Sequence, residues 1–106
     1  MKIFRQKKWK GGWFCGSFKK TAFHSNDFEV CFKKHKKGEI WPKHYHKIAT
    51  EVNYLIKGKM IIQNQTLNSG DVFILKPLDI ADPIFLKDCE LIVIKTPSIK
   101  NDKYEV

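Results

Sequence analysis

GEIWPKHYHKIATEVNYLIKG, residues 38–58, sets two histidines one residue apart, follows them with a lone glutamate, and brackets all three between glycines. In an extended strand residues i and i+2 share a face, so His44 and His46 stand side by side while Tyr45 points the other way. Residues 47–50 are short enough for a hairpin connection, which would return the chain and set Glu51 beside the histidines. Two imidazole nitrogens and one carboxylate then meet, a donor set that suits a divalent transition ion and leaves positions open. Spacing alone leaves two other readings open: hydrogen-bonded interior histidines, or a general acid/base pair.

The chain on either side reads as short strands. Phe28, Val30 and Phe32 alternate with Glu29, Cys31 and Lys33, the period of a half-buried strand. Residues 39–46, 51–57, 59–64, 72–76, 84–86 and 89–95 are rich in β-branched or aromatic residues, and HKKG, KG, NSGD and PLD punctuate them. No amphipathic helix stands out. The spacing predicts an all-β fold, an antiparallel sandwich or small barrel of about eight short strands.

At 106 residues there is room for one domain with a single core. An apolar fraction of 42% with 13% aromatic residues belongs to a folded chain. Residues 27–98 are expected to form the barrel, with a basic aromatic arm over 1–26 and a tail over 99–106, either able to reach over a partner subunit. No apolar run approaches the ~18–20 residues of a membrane span, and MKIFRQKKWKGG lacks the apolar stretch of a leader. A cytoplasmic location without a membrane partner is therefore expected. Cys15, Cys31 and Cys89 are odd in number, far apart and free of C-x-x-C spacing, and are read as reduced packing thiols.

The net charge of +9 sits in the first third, where residues 1–37 hold eleven Lys or Arg against Asp27 and Glu29. Nineteen of the twenty cations are lysine and only Arg5 is arginine, whereas phosphate and base-edge recognition recruits the arginine fork. Nucleic-acid binding is not expected. KKWKGGWFCGSFKK, residues 7–20, interleaves lysines with aromatics as base-stacking surfaces do. The two-glycine hinge before Trp13, Phe14 and Phe18 instead favours an arm that packs on the barrel or on a second subunit. Its lysines raise the local potential enough to draw in an anionic small ligand such as a sugar phosphate.

Gly38, His44, His46, Glu51 and Gly58 resemble the first cupin motif, G-x5-H-x-H-x(3,4)-E-x6-G, at every position. The resemblance implies a small β-barrel (jelly roll), commonly a homodimer, in which His44, His46 and Glu51 bind iron, zinc, manganese or nickel. The second cupin motif, G-x5-P-x-G-x2-H-x3-N, supplies a third histidine, and here the chain departs from it. In GDVFILKPLDIADPIF, residues 70–85, strict counting from Gly70 puts Ala81 in the histidine slot. A loop one residue longer makes Pro77 the motif proline and brings Asp82 into the slot as a fourth ligand. Otherwise Asp82 caps a turn before Pro83. Two histidines and one carboxylate already suffice for non-haem iron.

Counting by twos adds Ile40, Pro42, Asn53 and Leu55 to the barrel-facing set, with Asn53 either a pocket residue or a buried amide satisfied by backbone. Tyr45 and Tyr54 are expected to face away, and Trp41 to seal an outer or dimer surface. His24 and His35 read as solvated and receive no role. Three functions remain. The first is a metal-dependent cupin acting on a small polar ligand. The second is a metal-free sugar-nucleotide isomerase or epimerase with His44 or His46 as base, since His44-Tyr45-His46-Lys47 is similar to the H-x-H-K of some ketoisomerases. The third is a non-catalytic small-molecule binding module.

Overall fold

The computed structural model describes residues 1–5 and 8–106; Gln6 and Lys7 of the expected arm lie outside the described residues. A 3-10 turn at Lys10–Gly12 is followed by eleven strands among the described residues. They are β1 (Trp13–Gly16), β2 (Phe23–His24), β3 (Glu29–His35), β4 (His44–Tyr45), β5 (Thr50–Lys57), β6 (Lys59–Ile62), β7 (Gln65–Asn68), β8 (Val72–Leu75), β9 (Ile84–Phe85), β10 (Cys89–Thr96) and β11 (Tyr104–Glu105). The excess over about eight comes from two-residue strands at the two ends of the chain and along its irregular edges.

Six strands form one sheet in the order β2-β1-β3-β10-β5-β8, with β1 and β2 parallel and the remaining pairs antiparallel. The facing layer holds β7-β6-β9 and β11-β4. Residues 81–85 join its halves, since Phe85 pairs with Met60 on one side and Ala81 bridges to His44 on the other. Leu55, Cys31, Leu91 and Val93 of the large sheet pack against Met60, Ile62, Ala81 and Phe85 of the small one. This two-layer arrangement is a jelly roll. Burying a side chain such as Leu55, which is fully inaccessible, contributes about 2 kcal/mol.

Register decides what faces the interior. Glu29, Lys95 and Glu51 form one row across β3, β10 and β5; Cys31, Val93 and Asn53 form the next; Lys33, Leu91 and Leu55 the one after. The inward side of β3 is therefore Glu29, Cys31, Lys33 and His35, while Phe28, Val30 and Phe32 belong to the other side. A half-buried strand normally hides its apolar face, but this sheet surrounds a cavity and keeps its mixed face inside.

The motif glycines act differently. Gly58 has φ +117°, and a Cβ there would stand 2.4 Å from the Asp88 carbonyl oxygen, so both conformation and space demand glycine. Gly38 needs it for φ +76° alone, with open space where a Cβ would point. The three cysteines are free, and burial pushes the Cys31 thiol up to about 12. No helix among the described residues is long and apolar enough to cross a membrane.

Candidate metal centre

His44, His46 and Glu51 come together with one donor atom from each within 4.8 Å of the others. They do not meet through a hairpin. β4 pairs with β11 in the small layer, whereas β5 lies between β10 and β8 in the large one, so the histidines and the glutamate approach from facing sheets. Residues 46–49 form the corner between the layers. Its open N–H groups are taken by one carboxylate: Asp102 accepts from Lys47 at 3.0 Å, from Ile48 at 3.1 Å and from Ala49 at 2.9 Å.

Asp102 lies in the segment expected to be a tail, yet it is only 4% exposed. β11 next to it pairs with β4, Tyr104 stacks on Tyr45, and Lys47 lies over the Tyr104 ring. The Asp102 carbonyl oxygen accepts the Nδ1–H of His46 at 2.5 Å, and the Pro42 carbonyl accepts that of His44 at 3.0 Å. A carbonyl only accepts, so in the neutral rings both Nδ1 atoms carry the proton and both Nε2 lone pairs are free. Holding the far ring nitrogen on a carbonyl is how ligand imidazoles are oriented.

His46 Nε2 stands 3.4 Å from Glu51 Oε2. Two lone-pair carriers repel at that distance unless a proton or a cation lies between them. It is also the spacing of two donors about 2.1 Å from a common tetrahedral ion. The donor set and its spacing fit a divalent transition ion.

The other expected site residues divide. Asp82 stays outside the group, because its Oδ1 accepts the Gln63 N–H at 2.7 Å and caps a turn. Ala81, which strict counting puts in the histidine slot, is buried and bridged to His44. Asn53 does line the cavity, at 3% exposure, and its Nδ2 has no hydrogen-bond partner among the described residues. Ile40 is exposed and Pro42 turns outward, because residues 36–43 are loop rather than strand and the alternation fails there. Trp41 turns inward instead and lines the cavity, so it does not seal an outer surface. His35 is buried rather than solvated, bonded through Nδ1 to Glu39 and stacked on Phe85.

The cavity has a volume of about 730 Å³, within the range of small-molecule sites. Burial alone would raise the Glu51 carboxyl, but the neighbouring His46 ring, the Asn53 amide and Lys95 together hold it below its usual value. Burial pushes the His44 imidazole down, against the Pro42 carbonyl and with help from Lys103. Asp102, despite its desolvation, is held low by the Ala49, Lys47 and Ile48 N–H groups.

All three shifts have one sign. A depressed folded value means that stability is present above the unfolded value and lost as pH falls through the folded one. His44 begins to release its share below about pH 6.5, and the two carboxylates release theirs below about pH 4. Chelator-treated protein is expected to unfold at lower urea at pH 5 than at pH 7, and His44→Gln to remove that upper step. A flat stability profile between these values would contradict the buried neutral imidazole.

No family profile matches the chain, and no curated protein matches it in sequence. Solved structures do match in shape. A double-stranded β-helix domain protein of Klebsiella pneumoniae aligns with a TM-score of 0.70 at 18% identity, covering 77% of this chain and 72% of that one. A cupin-2 domain protein of Shewanella frigidimarina aligns at 0.55 and 20% identity, covering 68% and 72%. The nucleoside dehydratase Pac13, which has been solved from Streptomyces with uridine, aligns at 0.65 and 11% identity, covering 77% and 70%. With its two facing sheets and these neighbours, the chain has the fold of a small cupin domain.

Proposed function

We propose that His44, His46 and Glu51 hold one divalent transition ion, of iron, zinc, manganese or nickel, at the end of a cavity that binds a small polar molecule. The observation that carries this reading is that both rings are held through Nδ1 on carbonyls, that His46 Nε2 stands 3.4 Å from Glu51, and that one donor atom of each of the three residues lies within 4.8 Å of the others. Such an ion supplies Lewis acidity toward a ligand carbonyl or carboxylate. The chain's own residues do the rest. Pro42 and Asp102 fix the ring orientations, Asn53 offers an unpaired amide N–H to a ligand oxygen, and apolar residues such as Met60, Phe73 and Leu91 limit water. Elemental analysis of native protein prepared without chelator is expected to find about one ion per chain; none, together with no thermal response to added ions, rejects the reading.

A second reading keeps the cavity and dispenses with the ion. The Nε2 lone pair of His44 or His46, each ring held through Nδ1 on a carbonyl, serves as general base, and a nucleoside bound in the Streptomyces neighbour supports a sugar-nucleotide ligand. It predicts an unchanged reaction after chelation.

The proposal includes a homodimer in the cytoplasm. The outer side of the large sheet presents Val52, Tyr54, Ile56, Val72, Ile74, Ile92 and Ile94, with Val72 and Ile74 more than half exposed. An apolar sheet face of this extent favours burial against a second copy. Light scattering is expected to give the mass of a dimer, and Ile74→Lys combined with Tyr54→Lys that of a monomer. A monomeric parent chain, or a variant that stays dimeric, contradicts this.

A further inference from the structure

Lys33 and Lys103 stand apart from the other charges in the cavity. Lys33 projects from β3 into the interior, in the same row as Leu91 and Leu55. Its Nζ lies 5.6 Å from the ring centres of both Trp13 and Trp41, and Lys103 Nζ lies 5.0 Å from that of Trp41. Two ammonium groups thus share one indole, which helps to hold them by cation–π attraction. The contrast with Lys95 is plain, since Lys95 is paired with Glu29 at 3.0 Å. Among the described residues no carboxylate lies within ion-pairing distance of Lys33 or Lys103.

Half-burying a cation without a counter-charge, and placing a second cation near it, works against the fold. Burial lowers the Lys33 pKa and Lys103 lowers it further, against the opposing influence of Cys31, Glu51 and Glu39, none of which is paired with it. Lys33 and Lys103 line the same cavity as His44, His46 and Glu51. Lys10, Lys19 and Lys20 line the same cavity and add to its positive potential.

We propose that Lys33 and Lys103, positioned by Trp41, form an anion subsite for a carboxylate or phosphate group of the small molecule whose other end reaches His44, His46 and Glu51. Lysines are point charges and accept either oxyanion without the planar matching that arginine imposes. The subsite rests on the cavity being a ligand site, and it does not depend on the ion.

The probes are inorganic phosphate, glucose 6-phosphate, glucuronate and glucose, titrated at constant ionic strength into metal-loaded and chelator-treated protein. Calorimetry and the thermal midpoint are the readouts. The expected result is a rise in midpoint with phosphate and at least one charged sugar, at least tenfold tighter than glucose. Lys33→Met with Lys103→Met is expected to lose this preference, to keep the response to metal, and to melt higher than the parent without ligand. Glucose 6-phosphate against glucuronate then assigns phosphate or carboxylate. The proposal is overturned if the parent shows no anion effect beyond that of chloride, if the preference survives in the double variant, or if that variant melts lower than the parent. An anion effect without any metal response rejects the ion alone, and the reverse rejects the subsite alone.

Discussion

Adding the fitting divalent ion to chelator-treated protein is expected to raise its thermal midpoint by about 10–20 °C, and His46→Ala to abolish that rise. An ion present at about a hundred times its dissociation constant stabilises by about 2.7 kcal/mol. A domain of this size gains roughly 4–8 °C for each kcal/mol. His46 is the residue to remove because it is the one ring set both toward Glu51 and on the Asp102 carbonyl. Glu51→Gln preserves shape and removes the negative charge, so it is expected to weaken the response at least tenfold without unfolding the chain. An equal rise in parent and His46→Ala would mean that the ion binds elsewhere. No rise with any of the four metals would sink the centre.

Asp102→Ala is expected to cost about 2–4 kcal/mol of stability and to weaken metal binding by about 10–100-fold. The carboxylate satisfies three consecutive N–H groups at the corner between the sheets, and charge-assisted bonds of this kind are worth about 1.5–3 kcal/mol each before rehydration. Lys47 and Ile48 are at the surface and recover bonds to water, whereas the Ala49 N–H is buried and cannot. That sets the estimate at one full loss plus part of two others. Alanine keeps the backbone carbonyl that accepts the His46 Nδ1–H, so the effect on metal comes from a corner that no longer fixes where that carbonyl stands. Asp102→Asn keeps one accepting oxygen but turns an NH2 group toward the remaining donors, so it is expected to recover less than half of the loss. Urea unfolding and metal titration together measure this. A variant with the parent's midpoint and the parent's metal response would show that the C-terminal segment plays no part in building the centre.

The all-β fold and the residues of the candidate centre were legible at once, because both are written in local pattern. A period of two places His44 and His46 on one side of the chain, and the surrounding glycines mark the turns that close the layers. Asp102 was not legible. It is more than fifty positions from the corner it caps, and an aspartate between Asn101 and Lys103 in a polar tail carries no local mark of burial. Lys33 and His35 left a faint trace, sharing the alternation of Glu29 and Cys31, but the apolar Val30 and Phe32 made the opposite face look like the core. Trp41 is misplaced by assuming that strand alternation runs on through a proline, and Asp82 by allowing the loop at Pro77 one residue more than the motif has. Pro42 and Pro77 both stand where the backbone leaves the ladder, and counting by twos loses its meaning there.

The sequence by itself determined which atoms can act together within a strand: two imidazoles on one side, a carboxylate a short step further on, and glycines where no side chain fits. Only the tertiary structure decided which side of each strand is the inside, that the carboxylate reaches the imidazoles across the gap between two sheets, and that a tail aspartate and a pair of lysines complete the cavity. The division has a physical cause. Side-chain direction follows from backbone geometry over a few residues, whereas inside and outside are settled by long-range pairing, through which distant segments cover one face of a strand and leave the other to solvent or to a partner.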